Sequence, residues 1–100
     1  MDNFRGHHES DLQLTKDIEI SGMVSGTVTV PPGVYLLLSG MITGDLIVQN
    51  AARAVVRGMV IGVVLNQGAD VEIFGTVGSV RDLGAKKTTI AAHAVIRNSN

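Results

Sequence analysis

The hydrophobic and polar positions of this chain recur with a period of about 18 residues. The pattern Gly-Met-x-x-Gly occupies residues 22–26, 40–44 and 58–62, and each copy begins 18 residues after the last. A shortened copy, Gly-Thr-Val-Gly, occupies residues 75–78. Between the copies, apolar and polar residues alternate over short runs, which is typical of a half-buried β-strand. Each repeat contains a strand, a corner, a second strand and a second corner. This order of elements predicts one turn of a solenoid.

Superposing the repeats places apolar side chains in columns that run along the predicted solenoid. Second strands are predicted at residues 17–20, 35–38, 53–56, 70–73 and 87–90, and alternate residues of each strand point inward. Four inward columns result, and they are aliphatic apart from one threonine. The columns are Ile18, Leu36, Ala54, Val71 and Thr88; Ile20, Leu38, Val56, Ile73 and Ile90; Val28, Leu46, Val64 and Val80; and Val24, Ile42, Val60 and Val77.

The fold class that follows is all-β: a single short β-solenoid of about four to five coils, each of 17–18 residues. Residues 1–16 are expected to form an N-terminal capping segment, residues 17–90 the repeats, and residues 91–100 a C-terminal strand or cap. The recurring glycines are expected at corners, where they permit a positive φ or close approach of the neighbouring coil. Unpaired backbone edges at the two ends must be capped or must pair with another chain.

Composition argues against several functional classes. The chain is 45% hydrophobic but only 3% aromatic, and its 8 basic and 9 acidic residues give a net charge of −1, which offers no basic surface for nucleic acid. It contains no cysteine, so it has neither a disulfide nor a thiolate site. The first twenty residues lack the apolar run of a signal peptide, and no run is long enough to predict a transmembrane segment. We therefore expect a soluble cytoplasmic protein.

The repeat has a recognisable form. The segments SGMVSGTVTV, SGMITGDLIV and FGTVGSV share a small-Gly-x-Val-x-Gly-x-hydrophobic pattern, and over residues 17–90 this repeat resembles the bactofilins, bacterial polymer-forming cytoskeletal proteins. The resemblance implies a right-handed β-helix that self-associates or polymerises. A left-handed hexapeptide helix also has about 18 residues per coil, but it needs an aliphatic residue at every sixth position, and the Gly-x-x-x-Gly spacing interrupts that pattern.

Few residues suggest chemistry. His7 and His8 are adjacent, so a regular strand cannot direct both at one metal ion, and the sequence contains no Ser-His-Asp arrangement or cysteine nucleophile. We therefore predict no catalytic residues, cofactor or metal site, and a protein that is not an enzyme. Asn66, the polar member of a column with Val30 and Val48, is expected to hydrogen-bond backbone groups of the next coil at a corner. Arg53 and Asp70 share an outward phase and predict an ion pair between coils.

Several outward positions are apolar where polar residues are expected. They form a possible interaction surface, which either a terminal segment or a partner would cover. Three methionines of the repeat add an adaptable ladder beside a corner, or fill the core if the corner turns them inward. The outward apolar set is Leu37, Ile47, Val55, Val63 and Leu65.

Two functions are compatible with these features. The first, which the resemblance favours, is a structural protein that polymerises by stacking its coil ends. The second is a stand-alone module that binds one protein partner through a solenoid face, such as an immunity protein that neutralises a bacterial toxin. The small size and the atypical terminal segments favour the second.

Overall fold

The repeat folds as fifteen short strands joined by turns, with no helix, over residues 1–97, which are the residues that the computed structural model describes. Tetrads predicted at residues 35–38, 53–56 and 70–73 match observed strands residue for residue. The strands are β1 (Asp2–Phe4), β2 (His7–His8), β3 (Leu12–Gln13), β4 (Ile18–Ile20), β5 (Met23–Val24), β6 (Val28–Val30), β7 (Tyr35–Leu38), β8 (Met41–Ile42), β9 (Leu46–Val48), β10 (Arg53–Val56), β11 (Met59–Asn66), β12 (Asp70–Ile73), β13 (Thr76–Asp82), β14 (Thr89–Ile90) and β15 (Val95–Ile96).

All the strand pairs in the described range are parallel and join successive coils, which makes the fold an all-β solenoid of about five turns. One face is a six-stranded sheet in the order β1-β4-β7-β10-β12-β14. The second face stacks β2, β5, β8, the start of β11, the start of β13 and β15. The third face stacks β3, β6, β9 and the later parts of β11 and β13. Because β11 and β13 pass around a corner without a break, the second and third faces form one continuous sheet.

The predicted inward columns form the core. Leu36, Leu38 and Val56 are fully buried, and the register pairs each column member with its counterpart one coil away. Each fully buried Val, Leu or Ile contributes roughly 1.5–3 kcal/mol relative to an exposed side chain. The side chains of the columns are partly exposed only near the two ends of the solenoid. Ile18, Val80 and Thr88 are half-buried, and Ile90 is 46% exposed because no further strand within residues 1–97 covers it.

The glycines of the repeat are required by close approach between coils. A Cβ atom built on Gly40 or Gly58 would overlap with the carbonyl oxygen of the glycine one coil earlier. The positive φ values lie at a different corner, at Gly33 (81°), Ala51 (68°) and Gly68 (91°). The glycines at these two kinds of corner are therefore needed for different reasons, one steric and one conformational.

The shortened fourth repeat is accommodated by a β-bulge. Val60 pairs with Val77 and Val63 pairs with Ser79, so two residues of β11 oppose one residue of β13. Ile61 lies in this bulge, at the outward position that Ser25 and Thr43 occupy in earlier coils, and its side chain is 53% exposed. The bulge preserves the register of the inward columns on both sides of the missing residue.

The terminal segments continue the solenoid. Residues 1–16 were expected as a cap, and they contribute β1, β2 and β3, which pair in parallel with β4, β5 and β6. Residues 91–97 contribute β15, which pairs with β13, while residues 98–100 of the predicted C-terminal cap lie outside the described range. Within residues 1–97, the solenoid thus ends on both sides in parallel edges that no described strand pairs with.

We predict that Gly44→Val destabilises the fold more than Thr43→Val does. A Cβ atom at Gly44 would lie 2.5 Å from the carbonyl oxygen of Gly26, and forcing the coils apart costs about 1–3 kcal/mol. Thr43 is half-buried and valine has nearly its shape, so its replacement should change stability by about 0.5 kcal/mol or less. Thermal melts followed by circular dichroism measure both, and equal melting temperatures would contradict the steric role of the corner.

Candidate functional site

The outward apolar residues form two ladders on the sides of the solenoid. Ile47 pairs with Leu65 on the third face, and Leu37 pairs with Val55 on the first. Four of the five predicted surface residues are half-buried, because neighbours one coil above and below cover part of each side chain. Val55, predicted to be exposed, is only 6% accessible, because it lies between Leu37 and Glu72 in the ladder. The ladders are thus a partly covered surface, and Val55 is not available to a partner.

Charged side chains beside the first ladder pair differently from the prediction. Arg53 and Asp70 are neighbours in register, as expected, but they do not form the predicted ion pair. Arg53 lies 3.7 Å from Glu72, and Asp70 accepts a hydrogen bond from Lys86 at 3.0 Å. The Arg53 guanidinium also lies 5.4 Å from the centre of the Tyr35 ring. All these groups are well solvated, so each contact contributes at most about 1 kcal/mol.

Asn66 is fully buried and hydrogen-bonded on both sides of its amide. Its Oδ1 accepts from the Ala69 backbone N–H at 2.6 Å, and its Nδ2 donates to the Thr88 hydroxyl at 3.1 Å. The corner role predicted for it is confirmed, but its backbone partner belongs to its own coil and its partner in the following coil is a side chain. Asn66 therefore closes a turn, and nothing in its surroundings marks a ligand site.

The methionines of the repeat line an open groove. Met23, Met41 and Met59 are neighbours in register and half-buried, so they are not core filler. The groove has a volume of about 860 Å³, and the stacked glycines form its floor. His7 and Arg5 extend it onto the first coil. Its walls are mostly apolar, and the thioether sulfur atoms are its most polarisable groups.

The N-terminal end of the solenoid has an apolar opening. Phe4, Leu12 and Ile18 are half-buried and line a small cavity of about 180 Å³ at the end of the core. Beside it, Lys16 Nζ lies 2.5 Å from Asp2 Oδ2. The hydrogen bond from Lys16 and the positive charge of its ammonium hold the pKa of the Asp2 carboxyl below its usual value. The same hydrogen bond and the negative charge of Asp2 raise the pKa of Lys16.

The C-terminal end exposes large apolar side chains that the sequence analysis did not single out. Leu83, Ile90 and Val95 are each about half exposed and lie in the last strands or the loop before them. Lys87 and Arg97, both exposed, lie at the same end. An end with uncovered apolar residues beside positive charge can accept an apolar surface that carries negative charge.

Charge is unevenly distributed along the solenoid. Residues 1–52 contain six acidic and two basic side chains, a net charge of −4, whereas residues 53–100 contain three acidic and six basic side chains, a net charge of +3. The near-neutral total therefore hides an acidic half and a basic half. This gradient is visible in the sequence once the coil order is known, because the coils convert chain position into height along the rod.

Residues 1–97 contain no group of three or more His, Cys, Asp or Glu side chains arranged to hold a metal ion. In the same range there is no helix with the length and hydropathy needed to cross a bilayer. No protein-family model matches the chain, and neither a curated protein nor a solved structure is significantly similar to it.

We predict that the double change Ile47→Lys with Leu65→Glu leaves the solenoid folded and weakens the association of this face with a partner or with another copy. The two residues face each other across adjacent strands, so the new opposite charges form an acceptable pair while apolar area available to another molecule is lost. Circular dichroism checks the fold and light scattering checks the association. Unchanged stability with unchanged association would show that this ladder is not an interaction surface.

Proposed function

We propose that this protein is a non-enzymatic structural protein that assembles by stacking the ends of its solenoid on those of other copies, as the resemblance to bactofilins implies. The observation that carries the proposal is the complementarity of the two ends. One end has an apolar opening within an acidic half, and the other has exposed apolar side chains within a basic half.

End-to-end stacking would continue the core across the junction. Phe4 occupies the position of Ile20 one coil earlier, and Ile90 occupies the position of Ile73 one coil later, so all four belong to one column. When a second copy follows the first in the same direction, its Phe4 comes to lie over Ile90. The exposed part of Ile90 is then buried, and β1 of the second copy can pair with the unpaired edge of β14.

Charge favours a head-to-tail arrangement. Two N-terminal ends would bring together two acidic halves, whereas a head-to-tail junction brings the acidic half of one copy onto the basic half of the next. A head-to-tail interface uses two different surfaces and does not close on itself when successive copies are related mainly by translation. The expected assembly is therefore an open filament.

We predict that the association of the protein depends on concentration and weakens as salt is added, because screening reduces the attraction between the two halves. The double variant Lys87→Glu with Arg97→Glu, at the C-terminal end, should raise the concentration needed for association by about tenfold or more. Sedimentation velocity over a concentration series measures the effect, and negative-stain microscopy reports filaments.

The matched control is Arg53→Glu with Arg57→Glu, which makes the same change in net charge on exposed residues in the middle of the solenoid. The control should associate at a concentration close to that of the wild type. Equal weakening in both variants would show that only total charge matters and would contradict the end-stacking proposal. A wild-type protein that stays monomeric at every concentration would favour a stand-alone module that binds a different protein.

A further inference from the structure

We propose that Met23 and Met41 of the methionine ladder, together with His7, form a binding site for a soft monovalent cation, Cu(I) or its chemical analogue Ag(I). The ligands would be the thioether sulfur atoms of Met23 and Met41 and the Nε2 atom of His7. Thioethers bind Cu(I) and do not suit hard cations, and imidazole also binds copper well. The proposal is independent of the proposed assembly.

Backbone register places the three ligands in a single ladder. His7 pairs with Met23, and Met23 pairs with Met41, so the three residues lie on successive coils about 4.8 Å apart. Each methionine side chain has three rotatable bonds, so neighbouring sulfur atoms can turn toward one ion without a change in the backbone. The groove above them is open, which gives an ion a path to the site.

A side-chain hydroxyl brings two of the proposed ligand atoms together at the first step of this ladder. Ser25 Oγ lies 2.6 Å from His7 Nε2 and 3.7 Å from Met23 Sδ. Both ligand atoms are therefore directed at one point, which the hydroxyl occupies. Rotation of Ser25 about its Cα–Cβ bond would free that point for an ion.

A carboxylate lies on the other side of the imidazole. His7 Nδ1 is 4.0 Å from Glu9 Oε1, beyond hydrogen-bond distance, and both side chains are exposed. Histidines that bind metals commonly donate their other ring N–H to a carboxylate, and Glu9 would fill that role if it moved closer to the ring. Sequence alone does not point to this site, because the residues that follow His7 in the chain are a histidine and an acid, whereas its soft partners are 16 and 34 residues away.

Ligand chemistry favours a soft monovalent ion. The N-terminal half carries a net charge of −4, which attracts cations, and Arg5 lines the same end of the groove and repels them. Both effects grow with the charge of the ion, so the thioether and imidazole ligands decide which ion fits. A singly charged soft ion therefore fits better than Zn²⁺, whose usual ligands are thiolates, imidazoles and carboxylates.

The test is an anaerobic competition between the protein and a chromogenic Cu(I) chelator, with copper kept reduced by ascorbate. The double variant Met23→Leu with Met41→Leu removes both sulfur atoms while nearly conserving side-chain volume, and it should weaken Cu(I) binding by about tenfold or more. Met59→Leu is the matched control, because it makes the same change one coil beyond the proposed ligands and should bind nearly as the wild type does. His7→Asn should weaken binding as well.

X-ray absorption at the copper edge tests the ligands directly and works on the wild type whether or not it is assembled. The spectrum should contain both sulfur and nitrogen neighbours, and the sulfur contribution should disappear in the double variant. A wild-type spectrum without sulfur neighbours would overturn the proposal even if the double variant failed to fold. Equal affinities for the wild type, the double variant and Met59→Leu would also overturn it.

Discussion

Parallel backbone hydrogen bonds between successive coils determine the whole structure, because they fix both the rise and the register of every strand. At one corner the backbones of successive coils come so close that no side chain fits between them. The stacked glycines Gly22, Gly40 and Gly58 meet that condition. Once the register is fixed, residues about 18 positions apart become neighbours. The apolar columns, the outward ladders and the methionine ladder all follow from this one constraint.

The features that could be predicted from the sequence are those that depend on this register. An 18-residue period with alternating burial identified the strands 35–38, 53–56 and 70–73 and the core around Val56. Features that depend on the size of neighbouring side chains or on an irregular coil could not be predicted. Val55 is buried by the side chains above and below it in its ladder, and the bulge at Ile61 arises from a residue missing one coil later. Arg53 lies nearer to Glu72 than to its register partner because long side chains reach diagonally.

The same hydrogen bonding leaves the solenoid with two unfinished edges. Additional coils of the same chain, a cap or another molecule can complete them, and at Ile90 the core column itself is uncovered. The acidic and basic halves give the rod a direction, which is why we propose a head-to-tail filament. The methionine groove lies along the side of the rod and can bind an ion without using either end. Assembly and ion binding are thus separable properties of one repeat.

The most direct test of end stacking is a disulfide between copies, since the chain has no cysteine of its own. Asn3 and Thr89 are exposed, and they are the first and last described residues of the outward ladder that contains Leu37 and Val55. Head-to-tail stacking would bring them about 4.8 Å apart, within the Cα separation that a disulfide requires. An oxidised mixture of Asn3→Cys and Thr89→Cys should give dimers that contain one copy of each, identified by mass. Dimers of Asn3→Cys alone, or no dimers in the mixture, would contradict the account.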